Sequence, residues 1–192
     1  MEKGKIIEMP KRDAPKKDID VDFEQDRADI ERLTECIKEE RYKEGLEIAR
    51  KLINEEPQNV TYLNYLGQIY IGMGRKSEAI EIFNNACRLD RSNIDVLFGL
   101  IRSKMLGSIE SSDYDSVIEL FEECLKIEPE NLMINLTYAN FLYMKKKDTQ
   151  KTLELYKKCA EMMRKNGSKN KRLIEEIENR KKELTGGLFL VK

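Results

Sequence analysis

The 192-residue chain contains no histidine and no tryptophan, and only four prolines. Without histidine it lacks the commonest general base and the commonest metal ligand. The four cysteines, Cys36, Cys87, Cys124 and Cys159, are widely spaced and form no CxxC pair. That excludes metal-finger spacing and leaves no pattern of a disulfide framework. Each falls among apolar residues at helical spacing, where cysteine packs as a small hydrophobe. Long hydrophobic runs are also missing: the longest are only a few residues, as in Gly187-Leu188-Phe189-Leu190-Val191, far short of the ~20 residues that cross a bilayer. The first residues, MEKGKIIEMPKRDAPKKD, carry no apolar core of a secretory signal. A cytoplasmic location is the expectation. No glycine-rich phosphate loop is present, since Gly72-Met73-Gly74 follows no strand. Carboxylates are plentiful but interleaved with bases, as in Lys38-Glu39-Glu40-Arg41, the composition of a solvated helix face. No residue set supports an enzyme, a cofactor or a metal.

What is present is a period. Glu56-Pro57-Gln58-Asn59, Asp90-Arg91-Ser92-Asn93 and Glu128-Pro129-Glu130-Asn131 punctuate the chain, with asparagines 34 and 38 residues apart. Proline ends a helix and asparagine is among the best N-caps, so each stretch stops one helix and starts the next. Within a period the apolar residues trace two helices. Leu63, Leu66, Gly67 and Tyr70 line the first, and Ala79, Ile82, Phe83 and Ala86 the second. Gly72 and Gly74 are read as the break between them. The small residues Gly67, Ala79 and Ala86 interrupt otherwise bulky faces. They mark where a neighbouring helix must come close.

The pattern Leu63-x2-Leu66-Gly67-x2-Tyr70, then Ala79-x3-Phe83, resembles the tetratricopeptide repeat. Residues 60–93 match it well, although Arg91 stands in place of the proline. Residues 26–59 match chiefly in the second helix, through Tyr42, Gly45, Ala49, Leu52 and Pro57. Residues 94–131 keep Leu97, Leu100, Val117, Phe121 and Pro129, with four extra residues placed in 107–113. Residues 132–166 read Tyr138-Ala139-x2-Leu142, then Thr152-x3-Tyr156.

The resemblance implies an all-α, right-handed superhelical solenoid of about four helical hairpins over residues 23–166. A capping helix is expected over 167–185, with Ser168 as its N-cap, an apolar stripe at Leu173, Ile174, Ile177 and Leu184, and a tail at 186–192. Four hairpins and a cap make nine helices. Residues 1–22, with an apolar island at Ile6-Ile7, read as a flexible arm.

In this family the first helix of each pair lines a concave groove that holds a peptide or helix of a partner protein. The resemblance thus implies a scaffold or adaptor. Carried over, the groove positions are Ile30, Thr34, Ile37 and Lys38; Thr61, Asn64, Gln68 and Ile71; Asp95, Phe98, Arg102 and Met105; and Met133, Leu136, Asn140, Tyr143 and Met144. These are mostly apolar and adaptable, with amides for hydrogen bonds. The family's basic clamp for carboxylate-ended chaperone tails is not matched, since its candidate places hold Ile30, Thr34, Tyr65, Asp95 and Gly99.

Charge is unevenly spread. Residues 26–130 carry 14 basic and 22 acidic side chains, and residues 131–192 carry 15 and 7. Such a polar chain could meet a second copy head to tail. Nucleic acid is the competing partner class, through Lys145-Lys146-Lys147 and the bases of 169–182. Interleaved glutamates and the lack of stacking aromatics weigh against it.

Overall fold

Three asparagines start helices through their side chains. Asn59 Oδ1 accepts from the backbone N–H of Thr61 at 3.0 Å and of Tyr62 at 3.3 Å. Asn93 does the same for Val96 at 3.2 Å, and Asn131 for Ile134 at 3.1 Å. Asn59 and Asn131 each donate back to a glutamate three residues earlier, Glu56 and Glu128, at 2.7 Å. The inter-hairpin turns are therefore fixed by the punctuation seen in the sequence.

The computed structural model describes residues 23–107, 113–146, 148–165, 167 and 171–188, with side chains omitted at 23–26, 187 and 188. The described residues form nine helices and no strand: α1 (Phe23–Lys38), α2 (Tyr42–Glu55), α3 (Val60–Gly72), α4 (Lys76–Leu89), α5 (Ile94–Met105), α6 (Tyr114–Ile127), α7 (Leu132–Met144), α8 (Thr149–Lys165) and α9 (Lys171–Leu188). The expected arm at 1–22, most of the four-residue insertion and the N-cap role of Ser168 lie outside the described residues.

The chain divides into two compact units, residues 1–91 and 92–192. In the first, α1 packs on α2, α2 on α3, α3 on α4, and α1 also meets α3. Its core is Leu33, Cys36, Ala49, Leu52, Leu63, Leu66, Ile69, Ala79, Phe83 and Ala86, all at most 1% exposed. A Cβ built on Gly67 would lie 2.5 Å from Cε2 and Cζ of Phe83. The missing side chain is thus the space that the phenyl ring fills. Gly72 plays a second such part, besides standing where α3 ends as the sequence predicts. It is the last residue of α3, and its Cβ would stand 2.2 Å from the Tyr42 ring.

The turn between hairpin helices is repeated. Gly74 has φ +71°, and Arg75 N–H donates to Tyr70 O at 2.8 Å. Thirty-four residues earlier, Glu40 has φ +57° and Arg41 N–H donates to Cys36 O, also at 2.8 Å. Lys146, at φ +49°, takes the same place after α7. The left-handed turn is imposed by the repeat even where the residue is not glycine.

In the second unit α5 packs on α6, α6 on α7, α7 on α8 and α8 on α9. Aromatic rings hold α6 to α7: Phe121 stacks on Tyr138 at 4.7 Å and lies 5.9 Å from Phe141, and Tyr114 meets Phe141 edge-on at 6.0 Å. Asn135 is fully buried where Leu63 and Leu97 stand in other repeats. Its amide donates to Pro129 O at 2.9 Å and Asn131 O at 2.8 Å, while its Oδ1 has no partner. All four cysteines are buried thiols outside any disulfide, as their apolar surroundings predicted.

Candidate protein-binding faces

The first helix of each hairpin shows two faces. On α3, Leu63, Leu66, Ile69 and Tyr70 are buried, whereas Asn64, Gln68 and Ile71 are half-buried and Thr61 is exposed. On α1, Ile30, Thr34 and Ile37 are half-buried and Lys38 is exposed. Thr34 Oγ1 donates to Ile30 O at 2.8 Å and lies 3.5 Å from Tyr65 OH, which joins the open faces of α1 and α3. Asn64 Oδ1 is buried and has no hydrogen-bond partner. A depression of about 720 Å³ runs along α1, lined by Ile30, Thr34 and Ala28 with the carboxylates of Glu31, Glu35 and Glu39 and the bases Arg32 and Lys38. The stripe on these two helices is neutral and apolar with amides, and its rim on α1 is charged.

The second unit repeats the division. On α5, Val96, Leu97 and Leu100 are buried, Phe98 and Met105 are half-buried, and Asp95 and Arg102 are exposed. On α7, Met133 and Met144 are the most exposed large apolar side chains, at 66% and 61%. Leu136, Asn140 and Tyr143 lie between them, half-buried. Residues spaced by three and four along each helix thus form a stripe.

Two of these residues are already engaged, by α9. Tyr156 OH donates to Asn140 Oδ1 at 2.7 Å, and Arg180 donates to the same oxygen and to Tyr156 OH, the latter at 3.0 Å. The Arg180 guanidinium also lies 5.2 Å from the centre of the Tyr143 ring, and Tyr143 OH donates to Glu183. That bond pushes the Tyr143 phenol above its ordinary pKa. Burial raises the Tyr156 phenol, and Arg180 opposes the rise.

Sequence reasoning missed Arg180 and Glu183 as partners of the open face. The available signal was position: Arg180 follows Ile177 by three residues and so shares the apolar stripe of its helix. Among the described residues no cluster could hold a metal ion, and no helix is long and apolar enough to cross a membrane.

Residues 60–93 match the family model of the tetratricopeptide repeat. No curated protein sequence matches the chain. Among solved structures, a tetratricopeptide repeat protein from Parabacteroides merdae superposes with a TM-score of 0.65 at 14% identity, over 85% of this chain and 61% of that one. A thermophilic tetratricopeptide protein of Thermus thermophilus gives 0.63 at 15% identity, over 77% of each chain. The type III secretion translocator chaperone SycD of Yersinia enterocolitica gives 0.56 at 15%, over 68% of this chain and 86% of that one. At such identities the likeness to these structures is one of fold. Taken with the repeat at 60–93 and the recurring caps and turns, it gives the described residues an all-helical fold of the kind that tetratricopeptide-repeat structures share.

Proposed function

We propose that the protein is a non-catalytic scaffold that binds a peptide or helix of a partner protein on the open faces of its first helices. The observation that carries this reading is the exposure of Met133 and Met144 beside half-buried Leu136 on α7, with Phe98 and Met105 half-buried on α5. Apolar side chains left in water at a regular spacing gain free energy when a partner covers them, and methionine adapts to varied shapes. Asn64, Gln68 and Asn140 supply amides that hold a partner's backbone or polar side chains in register. On the first unit the candidate face carries Ile30, Thr34, Ile37, Asn64, Gln68 and Ile71; the second unit, by itself, carries Phe98, Arg102, Met105, Leu136, Asn140 and Tyr143. A structural neighbour named as a translocator chaperone has the same fold, which agrees with a protein-handling role.

Affinity capture from nuclease-treated and untreated extracts, at low and high salt, tests the reading. Apolar docking predicts a protein that stays bound at high salt and after nuclease. RNA or DNA recovered in its place, lost at high salt, would instead assign the bases of residues 145–182 to a nucleic acid. A second copy of the chain as the main captured species would point to head-to-tail assembly.

A further inference from the structure

α9 is attached differently from the other helices of its unit. α8 buries seven side chains, from Thr152 to Met163, whereas Ile177 alone is buried among the described side chains of α9. Leu173, Ile174 and Leu184 are half-buried on the same helix, and its polar contacts are Arg180 to Asn140, Tyr156 and the Tyr143 ring, Glu183 to Tyr143, and Glu178 to Arg164 at 3.2 Å. Through these contacts α9 covers Asn140 and Tyr143. Both belong to the face assigned above to a partner.

We infer that this face takes an amphipathic helix with an aliphatic anchor, an arginine three residues later and a carboxylate three residues after that, and that α9 is its resident, displaceable occupant. Ile177, Arg180 and Glu183 are that pattern in the chain itself. Asn140 and Tyr156 offer oxygens to the guanidinium, and the Tyr143 ring offers its π face and its hydroxyl. A partner helix with the same pattern competes with α9 for these groups, so binding to α7 is coupled to release of the C-terminal helix. The half-exposed charged contacts are screened by salt, and α9 has one buried side chain described against seven on α8, which places α9 at the low-stability end of the unit. This inference rests on the proposed binding role of the α7 face.

The test uses the full-length chain and a fluorescent peptide of residues 171–188 as probe, read by anisotropy. The Ile177→Ser/Arg180→Ala chain, whose own α9 no longer holds the face, is expected to bind the probe at least tenfold more tightly than the wild type. Changing arginine to alanine in the probe, or Asn140→Ala in the released chain, is expected to remove that gain. Equal binding to both chains, or binding to neither, overturns the inference. Hydrogen exchange provides a reading that needs no variant: in the wild-type chain the amides of α9 exchange at least tenfold faster than those of α7 and α8. Equal protection, or loss of α7–α8 protection in the released chain, makes α9 a permanent structural cap and overturns the inference. A silent probe with protein capture intact defeats this inference alone. A bound probe with only nucleic acid captured defeats the function reading.

Discussion

Replacing Gly67 by alanine puts a methyl group where the ring of Phe83 stands. The new Cβ would lie 2.5 Å from Cε2 and Cζ and 2.9 Å from Cε1. Carbon atoms in good contact sit at about 3.5–4.0 Å, so the overlap is ~1 Å on three atoms. A phenyl ring at a surface would swing away, but Phe83 is fully buried, between helices that also enclose Leu63, Leu66 and Ala79. Relief therefore needs an off-rotamer ring or separation of α3 from α4. Overpacking of this kind costs about 1–3 kcal/mol, and the severity of the overlap places this case near the top. Alanine recovers about 1 kcal/mol of helix propensity over glycine. The net loss is then roughly 2 kcal/mol. Urea denaturation followed by circular dichroism measures it. The same change made in a Phe83→Leu background should cost little or even stabilise, because the ring that opposes it is gone. A wild-type background in which Gly67→Ala raises the midpoint would refute the account of why glycine stands there.

Three further outcomes follow from particular positions. Glu40→Gly should stabilise by about 1 kcal/mol, because φ +57° strains a side chain that Gly74 avoids in the next repeat, and an unchanged urea midpoint would contradict this. Asn135→Leu should be neutral or stabilising, since it restores the apolar residue of Leu63 and Leu97 and removes a buried unpaired oxygen; a loss above about 2 kcal/mol in denaturation would show the amide to be required. Burial raises the Cys159 thiol to about 11, so at pH 8 its thiolate fraction is ~10⁻³. Ellman's reagent should accordingly leave the folded chain untouched and label all four cysteines in urea, whereas rapid labelling without urea would place a thiol at the surface.

Sequence reading succeeded where the signal is local. The asparagine caps act within three residues, and the small residues facing Phe83 lie one repeat helix away, so both are visible as spacing. The left-handed turns at Glu40 and Lys146 were hidden because the residue gives no sign of them. Only the 34-residue register with Gly74 does. At Gly72 the break is legible but the second reason for glycine is not, since a glycine that admits a ring and a glycine that turns the chain look alike in sequence. The Tyr42 ring, 30 residues earlier, is what distinguishes them. On the open faces, helical phase placed Phe98, Leu136 and Asn140 correctly outside the core. It did not reveal that Arg180 and Glu183 reach Asn140 and Tyr143, because those partners lie 40 residues apart and polar pairs follow no hydrophobic period.

The central claim is that the open faces of the first helices bind protein. Its most direct test captures partners with the wild-type chain, a Phe98→Ser/Met105→Ser chain and a Glu81→Ala control on the solvent side of α4, all from one extract and all checked for equal melting temperature. The account predicts that the open-face variant loses the captured protein while the control keeps it, because binding energy concentrates in buried aromatic and apolar anchors. Equal recovery by all three chains would contradict it.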